Sequence, residues 1–196
     1  TQGPITATLE KKISKLIGCK YAVVVNNGTS ALICSLLSHG IGKGDEVIVP
    51  SFTFAATVNS ILAVGAKPIL VDCDVDTFNV DHNIIKKKIS KKTKAILPVD
   101  VSGMSIDIDP IKELAAKNNL FIIEDSAEGI GGKYKGQKIG SFGHSTIFSF
   151  HMAKVIAGIE GGCILTNDVN IANQLKLIRS HGDSKQYLHK VFGLNF

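Results

Sequence analysis

Short apolar runs alternate with amphipathic stretches through the first 125 residues of the chain. "YAVVVNN" (21–27) leads into "TSALICSLLSHG" (29–40), and "DEVIVPS" (45–51) into "FAATVNSILAVGA" (54–66). "KPILVDCD" (67–74) precedes "DHNIIKKKISKK" (81–92), "KAILPVDVSG" (94–103) precedes "DIDPIKELAAKNN" (107–119), and "LFIIEDSAE" (120–128) closes the series. The first member of each pair has the length and β-branched content of a strand buried on both faces; the second has helical periodicity. This rhythm predicts an α/β fold of three layers, α/β/α, around a mostly parallel sheet.

Beyond Asp125 the rhythm changes. "GIGGKYKGQKIGSFGH" (129–144) is rich in glycine and predicts loops and short hairpins. "STIFSF" (145–150) and "GCILTND" (162–168) predict an antiparallel pair flanking a turn, and "DVNIANQLKLIRSHG" (168–182) a helix with an Asp or Asn cap and a terminal glycine. No repeat or linker divides the chain, so residues 1–196 are expected to form one domain.

Composition removes several functions. No apolar run approaches the roughly 20 residues that cross a bilayer, and no leader pattern opens the chain. The net charge is +5, concentrated in "KKKISKK" (86–92), expected at an amphipathic helix end; no aromatic residues interleave there to stack on bases, so nucleic acid is set aside. Cys19, Cys34, Cys73 and Cys163 are scattered without metal spacing, which argues against a zinc site and fits a reducing cytoplasm.

Parallel sheets place ligands at the carboxyl ends of their strands. There, "NNGTSAL" puts Gly28, Thr29 and Ser30 at the opening of a helix, where free amides and the helix dipole suit a phosphate; an ordinary capped start looks the same. Phe54 at a strand-to-helix corner is either core or a platform for a flat ring. Asp125 comes, with Glu124, at the end of a run of four apolar residues (120–123) and needs a cationic partner or a helix to cap. "SFHMAK" (149–154) sets Lys154 in an apolar stretch before the glycine turn "VIAGIEGG", where a lysine drawn out of water is a nucleophile toward carbonyls. A flat ligand with a phosphate, an aldehyde and a basic ring nitrogen meets all four sites, as pyridoxal phosphate does.

The ordered set "NNGTSAL", "PSFTFAATVNSILAVGAKPILVDCD", "IIEDSAEGIGGKYKGQKIGSFG" and "FSFHMAK…EGGCILTND" resembles the DegT-type nucleotide-sugar aminotransferases, which are fold type I pyridoxal-phosphate enzymes. The resemblance implies that Lys154 is the Schiff-base lysine and Asp125 the carboxylate on the pyridine nitrogen. It implies that Gly28, Thr29, Ser30 and Ser149 bind the phosphate and that Phe54 stacks on the ring. Glu128 stands where many members have glutamine or histidine near the ring hydroxyl, His151 belongs to the lysine motif as a candidate substrate contact, and Glu160-Gly161-Gly162 matches a structural turn. The implied reaction passes an amino group from L-glutamate to a nucleotide-linked keto-sugar, in a cytoplasmic homodimer with no membrane partner. Sugar dehydratases of the same family replace the lysine with histidine; a non-catalytic, regulatory or truncated homologue is the other alternative. Members are nearly twice this length, so the chain is expected to be a large domain lacking an N-terminal segment and a small C-terminal domain, and inactive alone.

Overall fold

The computed structural model describes residues 2–185 and 188–196; Thr1, Gln186 and Tyr187 lie outside the described residues. The strands are β1 (Tyr21–Val25), β2 (Glu46–Pro50), β3 (Lys67–Val71), β4 (Thr93–Ile96), β5 (Phe121–Asp125), β6 (Lys133–Tyr134), β7 (Gln137–Lys138), β8 (Ser145–Ser149), β9 (Gly162–Thr166), β10 (Asp183–Lys185) and β11 (Leu188–His189), the last two pairing as a separate antiparallel hairpin. The helices are α1 (Pro4–Ile17), α2 (Gly28–Ser38), α3 (Ala55–Ala63), α4 (His82–Lys86), α5 (Ile108–Asn118) and α6 (Val169–Arg179). Seven strands form one sheet in the order β1-β9-β8-β5-β4-β2-β3. Strands β3, β2, β4, β5 and β8 run parallel, and β9 runs antiparallel to both of its neighbours. The expected antiparallel pair is β8 and β9, and the glycine-rich stretch holds the β6–β7 hairpin.

Alternation along each strand builds the three layers. Val23, Val47, Val49, Leu97, Ile123, Ile147 and Ile164 point to one face and pack with α2, α3 and α6. Ile48, Ile96 and Ile122 point to the other face, against α4 and α5, and Ala22, Phe148, Cys163 and Leu165 join them against α1. Because both faces are covered, β2 is apolar at consecutive positions, with Val47, Ile48 and Val49 all fully buried. Helix starts follow their caps: Asn27 accepts from the Ser30 N–H, Asp81 from Asn83, and Asp168 from Asn170 and Ile171.

Two elements depart from expectation. Helix α1 is not announced by the sequence pattern, although Pro4 sits at its first turn, where a missing N–H is harmless. Helix α4 stops at Lys86, so most of the lysine run lies in a turn rather than on a helix end. There Ser90 and Thr93 bond local backbone (Ser90 N–H to Thr93 Oγ1, 2.9 Å; Lys92 N–H to Ser90 Oγ, 3.0 Å), offering the chain an alternative to helix.

Strands β1, β5 and β8 deliver their carboxyl ends to one edge, and the 150–161 loop returns there because Gly162 pairs with both Ser149 and Val25. That edge carries the polar residues.

Candidate active site

Lys154, Asp125, Phe54, Gly28, Thr29, Ser149 and His151 line one cleft of about 430 Å³, within the roughly 300–1,000 Å³ common for small-molecule sites. Ser30 and Glu128 are not on its wall. Ser30 is buried in the first turn of α2, and Glu128 reaches the cleft through Lys154. A larger groove of about 500 Å³, between α1 and the loop after Lys154, is lined mostly by apolar side chains such as Ile13, Val24 and Phe150 and lacks comparable chemistry.

The floor forms where three backbones converge. A Cβ on Gly162 would meet the Asn27 carbonyl oxygen at 2.3 Å, and one on Gly28 would meet Ser149 Cβ at 3.0 Å. Glycine at both positions lets the first turn of α2 close onto the end of β8 and the start of β9. Asn27 spends its side chain on the Ser30 N–H (2.8 Å), while the N–H groups of Gly28 and Thr29 have no carbonyl one turn back to bond. Those amides, the helix dipole and the Ser149 hydroxyl make an anion cradle.

Asp125 ends β5 and is 5% exposed. It caps no helix. Its Oδ1 accepts the Ala127 N–H (3.2 Å) and its Oδ2 the Thr57 hydroxyl (2.7 Å). Burial pushes its carboxyl above the usual carboxylate range, opposed first by the Thr57 hydrogen bond and then by the Ala127 N–H and Lys154. Asp100, behind it, is pushed up to about 6, chiefly by burial, while Ser126 Oγ and the Ile106 N–H donate to it. A buried acid facing a cleft and carrying only neutral hydrogen-bond partners suits a cationic N–H from a ligand.

Lys154 sits in the loop after β8, its side chain 21% exposed, and its Nζ donates to Glu128 Oε1 at 2.9 Å. Glu128 is held from behind by the Ser102 N–H on Oε2 (3.1 Å), presented by a turn in which Ser102 adopts φ +52°. His151 fixes the loop: its carbonyl accepts the Lys154 N–H (2.9 Å) and its Nδ1 the Ala153 N–H (3.3 Å). His151 Nε2 stands 3.9 Å from Glu160 at the cleft mouth. Phe54 is 77% exposed, so the ring offered as core or platform is not core.

Thr57 and Thr53 were not anticipated. Thr57 is buried on the first turn of α3 and also bonds Thr53 Oγ1 at 2.8 Å. The one local signal is a threonine amid apolar residues directly after Phe54. Among the described residues no cluster of His, Cys, Asp and Glu could hold a metal ion, and no helix is long and apolar enough to cross a membrane. All four cysteines are free; burial pushes Cys19 up to about 11 and Cys34 up to about 12.

The family model of the DegT/DnrJ/EryC1/StrS aminotransferase family matches residues 1–196. GDP-perosamine synthase of Caulobacter vibrioides is 44% identical over 196 residues, covering 99% of this chain and 53% of that protein. Among solved structures, DesV of S. venezuelae, determined in complex with a ketimine intermediate, superposes with a TM-score of 0.96 at 36% identity. That match covers 99% of this chain and 53% of DesV. A GDP-4-keto-6-deoxymannose-3-dehydratase, ColD, superposes with a TM-score of 0.93 at 29% identity, covering 100% of this chain and 57% of ColD. The chain thus spans about half the length of the relatives it matches.

Proposed function

This chain belongs to the DegT/DnrJ/EryC1/StrS aminotransferase family, and on that premise we propose that it is the cofactor-binding part of a pyridoxal-phosphate aminotransferase. Its amino donor is L-glutamate and its acceptor the ketone of a nucleotide-linked sugar. The observation that carries this reading is the meeting of Lys154 and Asp125 in one cleft with an anion cradle and an exposed aromatic ring.

The residues fit the cofactor. The Gly28 and Thr29 amides with Ser149 would take its phosphate, Phe54 its ring face, Asp125 its ring nitrogen and Lys154 its aldehyde carbon. When bound, the cofactor supplies an electron sink for breaking bonds beside the amino nitrogen. The chain's own part is to hold a proton on the ring nitrogen through Asp125 and to move one at Lys154 Nζ between the two carbons flanking that amino nitrogen. Glu128, hydrogen-bonded to Nζ in this structure, stands ready to receive the ring hydroxyl once Nζ is engaged. Lysine at 154 favours amino transfer over the dehydratase chemistry named for ColD, since the resemblance places histidine there in dehydratases. Exposed Met152, Val155 and Ile159 on the lysine loop support a homodimer that covers this face.

The test is direct. The whole protein loaded with pyridoxal phosphate is divided: one portion is reduced with borohydride and peptide-mapped, where the label belongs on Lys154, and in a separate unreduced portion L-glutamate bleaches the visible band. Label on another lysine, or a band indifferent to glutamate, overturns the reading.

A further inference from the structure

Two hydroxyls beneath the cleft have no role in the function proposed so far. Thr57 is 1% exposed, and its single hydroxyl proton goes to Asp125 Oδ2 at 2.7 Å. The 2.8 Å bond between Thr57 Oγ1 and Thr53 Oγ1 therefore has Thr53 as its donor. An ordered chain results, Thr53 to Thr57 to the carboxylate, in which each hydroxyl polarises the next. With the Ala127 N–H on Oδ1 (3.2 Å), each carboxylate oxygen carries one fixed donor, which sets the plane of the group and the lone pairs it turns to the cleft.

The same chain brackets Phe54. Thr53 precedes it by one residue and Thr57 follows by three, so the hydroxyl bridge closes the turn on which the ring stands. The geometry points to Thr57, backed by Thr53, as the positioning residue for the cofactor ring. It fixes the carboxylate that meets the ring nitrogen and the turn that carries the stacking face. This rests on the cleft being a pyridoxal-phosphate site.

The charge state follows the same bond. Burial drives Asp125 toward its neutral form, and the Thr57 hydroxyl is the largest influence against it. Without that hydroxyl the acid takes up its proton at higher pH and ceases to attract a protonated ring nitrogen.

The test uses Thr57→Val, which keeps the shape and removes the donor, with Thr57→Ser and Thr53→Val beside it. Pyridoxal phosphate is titrated into the intact apoprotein between pH 5 and 8, following the visible band, and thermal melts check the fold. Loss of a hydrogen bond to a charged group predicts affinity weakened roughly tenfold to a hundredfold in Thr57→Val. The acid limb of its affinity profile should also move to higher pH, because the Thr57 hydroxyl no longer opposes the effect of burial on Asp125. Thr57→Ser restores both to within about threefold, and Thr53→Val gives a smaller loss in the same direction. A role confined to packing would leave Thr57→Val, which keeps the shape, near wild-type affinity at every pH and would weaken Thr57→Ser, which loses the methyl; that pattern overturns the inference. Should Thr57→Val fail to fold, wild-type binding and profile in Thr53→Val overturns it as well. Wild-type protein that takes up no pyridoxal phosphate overturns the function proposed above together with this inference, so the two failures are told apart before any variant is read.

Discussion

Strand β1 is one of the sheet's two outer strands, and one ion pair seals it. Glu10 from α1 accepts the Val24 N–H at 3.0 Å, and Arg179 from α6 donates to the Val24 carbonyl at 2.7 Å. The two side chains meet at 2.5 Å, with the guanidinium side chain 6% exposed and the carboxylate 16% exposed. Helices from opposite faces of the sheet thus join around its edge and occupy backbone groups that would otherwise template aggregation. Arg179→Met leaves a nearly buried carboxylate and an open carbonyl, and Glu10→Leu leaves a nearly buried guanidinium. Breaking a buried pair from one side costs about 3–5 kcal/mol, a large share of the roughly 5–15 kcal/mol that holds a domain folded.

The double variant separates charge from packing. With both ions gone no charge is stranded, and the remaining loss is the two capped groups of Val24, about 1–3 kcal/mol each before water reaches the open edge. We therefore expect each single variant to lose about 3–5 kcal/mol and the double variant to lose about 2–4, less than the two singles together by several kcal/mol. Urea unfolding of the four proteins at neutral pH completes the cycle. Single losses that add to within about 0.5 kcal/mol, or either single below 1 kcal/mol, would refute the edge-sealing account.

Two further outcomes follow from the same structure. Gly162→Ala drives a methyl into the Asn27 carbonyl, so pyridoxal-phosphate affinity in a titration should fall at least roughly tenfold as the cradle opens, whereas unchanged affinity would show that the turn has room to yield. His39 lies buried between Phe121 and His144 with Nε2 3.2 Å from Ser145 Oγ, and burial first, then His144, pulls it down to about 4. Its contribution to stability is present above 6.5 and lost as pH falls through about 4, whereas Asp100 and Glu124, pushed up to about 6 and about 7, contribute stability that is lost as pH rises through those values. The slopes oppose each other, so His39→Gln should tilt the unfolding free energy measured in urea toward acid stability by about 3 kcal/mol between pH 6.5 and 4; a profile parallel to wild type would rule the assignment out.

What the sequence disclosed and what it hid divide along the range of the interactions. Strands such as β2 announce themselves because burial on both faces demands consecutive apolar residues, a purely local mark. Lys154 is conspicuous for the same reason, a charge set among residues that avoid water. Helix α1 is quieter: Leu9 and Leu16 are 41% and 49% exposed, so its apolar stripe is broad and half-wet, and only Pro4 marks its start. The lysine run misleads because helical spacing at Ile84, Ile85 and Ile89 says nothing of the Ser90–Thr93 hydrogen bonds that end the helix. At the site, Asp125 could be picked out as a strand-end acid, but its partner Thr57 lies 68 residues earlier and looks like any threonine in an apolar helix. The sequence therefore displays groups whose chemistry clashes with their neighbours in the chain, and conceals groups whose chemistry is answered only across the fold. Thr57 and the Glu10–Arg179 pair are of the second kind, and each does its work by giving a buried polar atom a partner from a distant segment.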